Sequence, residues 1–259
     1  MDLGIAGETA LVLASTKGLG FGCAKALADD GVGVVISGRT LEAGAAALEK
    51  LGTNAHFIAA DISRPEDRAR LFAEAKDHLG AISILVTNGG SPPTGAFMDV
   101  SADDWSAAFE LVVVSAVDLA RRCVPAMVEA GFGRIVNISS LSAKETTRGT
   151  ALANSLKPGL VGAIATLGRE LAETGVTANS IMPGPFDTEL LRRVANKIVG
   201  RDDISAEEAV EVYAQQGPMK RLGRTEEFGA LCAFLCSRHA GYITAQSYVI
   251  DGGHVKTLF

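Results

Sequence analysis

The chain has 259 residues, of which 47% are hydrophobic and 21% charged, with a formal net charge of -6. That balance suits a chain with a large buried core, argues against disorder, and disfavours nucleic acid as the main partner. No window reaches the roughly 20 apolar residues of a membrane span, and Met1-Asp2-Leu3 lacks the charged start and apolar run of a signal peptide, so cytoplasmic residence away from membranes is the expectation.

In chain order, short apolar runs alternate with longer amphipathic stretches, the pattern of βα units feeding a parallel sheet. The spacing predicts a strand over Thr9–Ala14, a helix over Gly20–Asp30, a strand over Val32–Ser37 and a helix over Thr40–Leu51. A strand over Ala55–Ala60, a helix over Pro65–Leu79 and a strand over Ile84–Thr87 follow. Ser63 and Ser101, each trailed by acids, read as hydroxyl caps of the helices at Pro65–Leu79 and Ala102–Ala130. Next come a strand over Arg134–Ile138, a helix over Asn154–Thr174 and a strand over Val176–Met182, then a helix over Thr225–Ser237 and a last strand over Ser247–Ile250. Near-continuous Val, Ile, Leu and Ala content fits strands covered on both faces. The expected fold is therefore α/β: one doubly wound Rossmann domain over residues 1–259, with a seven-stranded parallel sheet flanked by helices. Residues 186–221 break the alternation and read as a small helical lid over the C-terminal edge of the sheet.

Cys23, Cys123, Cys232 and Cys236 form no C-x-x-C pair and read as reduced, buried thiols. No metal site is expected, since Cys232, Cys236 and His239 lack a fourth ligand.

The first strand runs into Ser15-Thr16-Lys17-Gly18-Leu19-Gly20-Phe21-Gly22, which opens a helix. Such a turn brings backbone N–H groups and a positive helix end against a pyrophosphate. The second strand ends in Ser37-Gly38-Arg39-Thr40, without the acid that would hydrogen-bond a ribose 2′-hydroxyl. Arg39 and Lys17 suit a 2′-phosphate instead, so NADP(H) is favoured over NAD(H), the alternative being two solvated surface cations. Asp61 reads as an acceptor for the adenine amino group, or else as a turn cap with Ser63.

Together with Asn88-Gly89-Gly90, Ser140, Lys157, Pro183-Gly184, Thr188 and Asp251-Gly252-Gly253, these motifs resemble the short-chain dehydrogenase/reductase family over essentially the whole chain. The resemblance implies cofactor contacts from Ala14, Ser15, Lys17, Gly18, Leu19 and Gly20. It implies further contacts from Arg39, Asp61 and Ile62, from Asn88, Gly89 and Gly90, and, toward the nicotinamide, from Lys157, Pro183, Gly184 and Thr188. A homotetramer or homodimer acting on a small-molecule substrate is implied as well.

The sequence departs from the family in four places, and in lacking the tyrosine, with its Ser139–Glu145 and Leu152–Lys157 stretches, it looks like a divergent branch labelled as ketoacyl-type reductases. Leu13-Ala14 replaces the usual Thr-Gly, with Ala14 expected to fit the turn without a positive φ. Val112 stands seven residues after Trp105, where the family carries asparagine, Ala153 stands where it carries the catalytic tyrosine, and Pro158 follows the lysine inside a helix. The tyrosine supplies a proton to the substrate oxygen, which alanine cannot do. Ser140, Lys157 and Lys144 are the candidate catalytic residues, with Lys144 expected to gain acidity by burial or else to sit in a solvated salt bridge with Glu145. Phe97, Phe186, Leu190 and Leu191 are candidate pocket walls, and Tyr213 is a candidate replacement acid. The leading function is an NADP(H)-dependent oxidoreductase acting on a carbonyl or alcohol. A non-redox isomerase, dehydratase or cyclase, and a catalytically silent dinucleotide sensor or structural subunit, are the alternatives.

Overall fold

The computed structural model describes residues 1–257. Seven parallel strands, β1 (Thr9–Val12), β2 (Gly33–Gly38), β3 (Ala55–Ala59), β4 (Ile84–Thr87), β5 (Gly133–Ile138), β6 (Val176–Pro183) and β7 (Ser247–Ile250), lie in the order β3-β2-β1-β4-β5-β6-β7. The chain winds outward from β1 in one direction and then from β4 in the other. That reversal leaves a crevice beyond the C-terminal ends of β1 and β4, the place where open α/β sheets bind ligands.

Alternation along the strands builds the two cores. Ala10 and Val12 of β1 pack on one face with Cys23, Ala24 and Leu27 of α1 (Gly18–Asp29) and Phe228 and Cys232 of α9 (Thr225–Cys236). Leu11 and Leu13 point to the other face, against Leu71 of α3 (Pro65–Leu79), Leu119 of α5 (Ser115–Glu129) and Leu156 of α6 (Ala151–Glu170). Such two-sided burial requires strands that are apolar throughout. The remaining helices are α2 (Leu41–Leu51), α4 (Ala102–Phe109), α7 (Glu189–Val199) and α8 (Ala206–Gln216). Among the described residues, no helix is long and apolar enough to cross a membrane.

Several local expectations change. The helix foreseen over Ala102–Ala130 is interrupted by one π-helical turn, Glu110–Val114, which contains the buried Val112. Helix α6 begins at Ala151 rather than Asn154, because the Asn154 side chain folds back on the preceding loop, donating to the Thr147 carbonyl at 2.8 Å and accepting from its N–H at 3.2 Å. Ser63 does not cap α3; its hydroxyl donates to Asp61 at 2.7 Å, and Arg64 occupies the cap position without a side-chain bond. Ser101 does cap α4, in a reciprocal capping box with Asp104. All four cysteines are free and buried.

Candidate active site

The glycine-rich loop is held from below by a short hydrogen-bond network. The Ser15 hydroxyl donates to the Val12 carbonyl at 2.6 Å, the Ser15 N–H to the Ser37 carbonyl at 2.8 Å, and the Ala14 N–H to the Ser37 hydroxyl at 3.1 Å. Between these anchors the backbone must turn sharply, and Ala14 does adopt a positive φ, +45°. The expectation that it would avoid one is wrong: with both flanks pinned to β1 and β2, the loop imposes the left-handed conformation on a residue with a Cβ.

From Ala14 the site can be followed bond by bond. Its carbonyl accepts from Asn88 Nδ2 at 3.1 Å, Asn88 Oδ1 accepts from the Gly90 N–H at 3.3 Å, and the Gly90 carbonyl accepts from Lys157 Nζ at 3.3 Å. Gly20 backs onto the same Ala14 carbonyl so closely that a Cβ there would lie 2.8 Å from both that oxygen and Asn88 Nδ2. This is a cradle that only glycine fits. Helix α1 has no side-chain cap and no acid in its first turn, so its leading N–H groups, which have no partner within the helix, present positive potential to an anion.

Lys157 is the one lysine buried among the described residues, 4% exposed. Burial with no facing carboxylate pulls its ammonium down to about 8. Ser140 caps the 3-10 turn Leu141–Ala143: its hydroxyl oxygen accepts from the Ser142 N–H at 3.1 Å, and the hydroxyl donates to Ser142 Oγ at 3.2 Å. Beneath it, Thr87 donates to Asn137 at 3.2 Å and Asn137 to Ser180 at 3.1 Å, a buried polar string that locks β4, β5 and β6 in register at the site. Ala153 stands one turn before Lys157 and is half-buried.

The other candidates divide. Gly184 is pressed against Asp251, where a Cβ would meet the Asp251 Cβ at 2.5 Å, and Thr188 caps α7 by accepting from the Leu191 N–H at 3.3 Å. Gly89 abuts the backbone of Leu111 and Val112 in the π-helical turn. Arg39 is exposed and makes no hydrogen bond or ion pair among the described residues, whereas Lys17 reaches Glu189 at 2.6 Å. Asp61 takes the turn-capping arrangement, accepting from the Ser63 N–H and hydroxyl, and Ile62 is buried with its carbonyl held by Arg68 at 2.9 Å.

Lys144 is exposed at the end of the 3-10 turn and forms no ion pair with Glu145, so neither burial nor a salt bridge describes it. The exposed loop lets its ammonium stay hydrated. Tyr213 packs edge-on against His254, 5.9 Å between ring centroids, which ties α8 to the C-terminal segment. The four apolar wall candidates do not form one wall: Phe186 is buried edge-on against Phe228 and Leu191 is buried, while Phe97 is 70% exposed and Leu190 exposed. A cleft of about 460 Å³ opens instead between Pro93, Thr94 and Gly95 on one side and Gly149, Leu152 and Lys197 on the other.

Sequence reasoning missed Arg68, Ser142, Asn154 and Glu189, all of which shape the loops of the site. Only Asn154, four residues after a threonine and adjoining Ala153, carried a local signal as a loop-binding side chain.

The geometry agrees with what the chain is similar to. Residues 13–255 match the family model described as enoyl-(acyl carrier protein) reductase. The bovine "Dehydrogenase/reductase SDR family member 4" is 34% identical, with 97% of this chain and 88% of that protein covered. The "NADPH-dependent reductase BacG" of Bacillus subtilis is 31% identical over 97% of this chain and 99% of its own length. Among solved structures, L-sorbose reductase from Gluconobacter frateurii, complexed with NADPH and L-sorbose, superposes with a TM-score of 0.92 at 30% identity, covering 100% of both chains. The chain belongs to the short-chain dehydrogenase/reductase family of NAD(P)-dependent oxidoreductases.

Proposed function

We propose that this protein is an NADP(H)-dependent reductase of a small carbonyl substrate, or a dehydrogenase of the corresponding alcohol, working without the family's tyrosine. The observation that carries the reading is the bonded path from the Ala14 carbonyl through Asn88 and Gly90 to Lys157. It joins the anion-binding loop to a buried lysine in one rigid unit, as a dinucleotide lying across the crevice requires. Gly18, Leu19 and Gly20 at the head of α1 receive the pyrophosphate, Arg39 and Lys17 the 2′-phosphate, and Asp61 and Ile62 the adenine. Lys157, Pro183, Gly184 and Thr188 line the nicotinamide end.

A nicotinamide supplies the hydride when bound; the chain must supply the proton and steady the oxygen. The Ser140 hydroxyl turns from Ser142 Oγ to donate its one hydrogen bond to the substrate oxygen. Its own oxygen already accepts the Ser142 N–H, which polarises the hydroxyl for donation. With a methyl group at Ala153 in place of a phenol, the Lys157 ammonium, near 8, is the buried acid suited to releasing a proton at neutral pH. Lys144 stands at the rim as an accessory cation. The cleft beside Leu152 takes the remainder of the substrate, with residues 186–221 as its lid. The half-exposed edge strand β7 fits a homodimer or homotetramer in which that edge is covered.

Calorimetric titration with NADPH and NADH, followed by turnover of carbonyl substrates by wild type, Ser140→Ala and Lys157→Ala, tests the reading. Preferential NADPH binding and loss of turnover in both variants are expected; turnover indifferent to both changes would reject the assignment. The same lysine favours one second reading, since an amine near 8 also serves as a base in a non-redox isomerisation. Product formed without cofactor consumption would select that alternative.

A further inference from the structure

Among the described residues, the phosphate loop and the helical insertion meet at one charged contact, between residues 172 positions apart in sequence. Lys17 Nζ lies 2.6 Å from Glu189 Oε2, with both side chains 63% exposed. Lys17 is the cap residue of α1, and Glu189 is the first residue of α7. Next to this pair, the Thr188 methyl group sits 3.7 Å from where a Cβ on Gly18 would be. The start of α7 therefore lies directly over the glycine loop, and its carboxylate neutralises a loop cation. Lys17 in turn holds the Glu189 carboxyl below its usual range. Arg39, the other cation assigned to a 2′-phosphate, has no such partner among the described residues.

We propose that Glu189 is a specificity-determining residue that sets the strength of the NADPH over NADH preference by holding Lys17 back from the cofactor. The inference rests on the assignment of Lys17 as a reader of the 2′-phosphate. A 2′-phosphate must draw Lys17 away from Glu189, so part of the attraction is spent on breaking the existing pair, and the freed carboxylate then faces an approaching anion. NADH, with a neutral hydroxyl there, leaves the Lys17–Glu189 contact undisturbed. The pyrophosphate common to both cofactors meets the carboxylate alike, so the carboxylate weakens NADPH binding more than NADH binding. Because the pair also fastens α7 to the loop, a phosphate that takes Lys17 releases the start of the insertion at the same moment.

Equilibrium titration of wild type, Glu189→Gln, Lys17→Met and the double variant with NADPH and with NADH tests this. Glu189→Gln is expected to tighten NADPH binding about 3–10-fold, the scale of one exposed charge pair plus a relieved repulsion, and to leave NADH within about twofold. The gain is expected to shrink at high salt and to vanish when Lys17 is methionine. Unchanged or weaker NADPH binding in Glu189→Gln overturns the inference, as does equal tightening of both cofactors. If Lys17→Met still weakens NADPH in those cases, the cofactor assignment survives and only the role of Glu189 falls. If Lys17→Met leaves NADPH affinity untouched, the phosphate assignment of Lys17 falls and the inference with it.

Discussion

Lys157 donates to the Gly90 carbonyl at 3.3 Å, and no carboxylate among the described residues pairs with it. A cation held by one neutral oxygen in a dry site is destabilising when charged. The folded protein holds this proton only to about 8, against 10.5 for a free lysine. Between those values the unfolded chain is protonated and the folded one is not, so stability rises with pH there. Below about 8 both states carry the proton and the full cost, about 3 kcal/mol, is constant. Lys157→Met is therefore expected to stabilise the protein at pH 7 by about 1–3 kcal/mol, with the gap closing by about pH 10.5. Denaturant titrations at the two pH values check this; a gap independent of pH would mean that the ammonium is solvated.

The same lysine sets the expected pH dependence of turnover. With Lys157 as the acid, kcat/KM for reduction falls above pH 8 or so, following loss of the ammonium proton. Lys157→Ala is expected to lower the plateau about 10²–10⁴-fold and abolish that limb. Ser140→Ala, which removes a donor to the substrate oxygen, is expected to cost about 10²–10³-fold while keeping the limb. Steady-state rates across pH 6 to 10 or so distinguish the two roles.

Ala14 carries backbone strain, with φ at +45°. Glycine accepts this conformation without the Cβ clash, though it has more freedom to lose on folding. Ala14→Gly is expected to gain about 0.5–1 kcal/mol net, or a rise of a few degrees in Tm. A thermal melt that falls instead would show that the methyl group contributes packing that outweighs the strain.

Arg68 is buried and fully engaged: Glu110 at 2.7 Å, Asp118 at 2.9 Å and the Ile62 carbonyl at 2.9 Å. Arg68→Ala leaves the Glu110 carboxylate and the Ile62 carbonyl without this partner, while Asp118 keeps Arg122 at 3.0 Å, at an expected cost of about 1–3 kcal/mol. Loosening Ile62 beside Asp61 is also expected to weaken dinucleotide binding. Arg68→Lys, with one head group for three partners, should restore little of either. Chemical denaturation together with an NADPH titration reads both effects.

Most of the fold was legible because it depends on near neighbours. Apolar runs at β4 and β7 matched their strands residue for residue, and Pro65 and Leu79 bounded their helix as expected. The glycine loop stood out by its placement after the first strand, and the Asn88 turn and Lys157 by the family resemblance; the structure links the three through hydrogen bonds. What escaped depends on encounters that spacing does not encode. Lys17 meets Glu189, and Arg68 meets Glu110 and Asp118, only once the sheet has brought distant segments together. Ser63 turned inward to Asp61 because a carboxylate two residues away was a nearer partner than the helix end. Ala14 was misjudged because its conformation is dictated by Ser37 on the adjoining strand.

The Ala14 carbonyl oxygen receives Asn88 Nδ2 and is also the surface against which Gly20 is packed. One atom thus joins three stretches of chain. A larger residue at 20 would move the oxygen, a shorter side chain at 88 would leave it unbonded, and a change at 14 would reorient it for both. Effects at these positions should not sum. In the divergence of this lineage, positions 14, 20 and 88 are expected to behave as a single epistatic unit, each constraining which replacements the other two can accept.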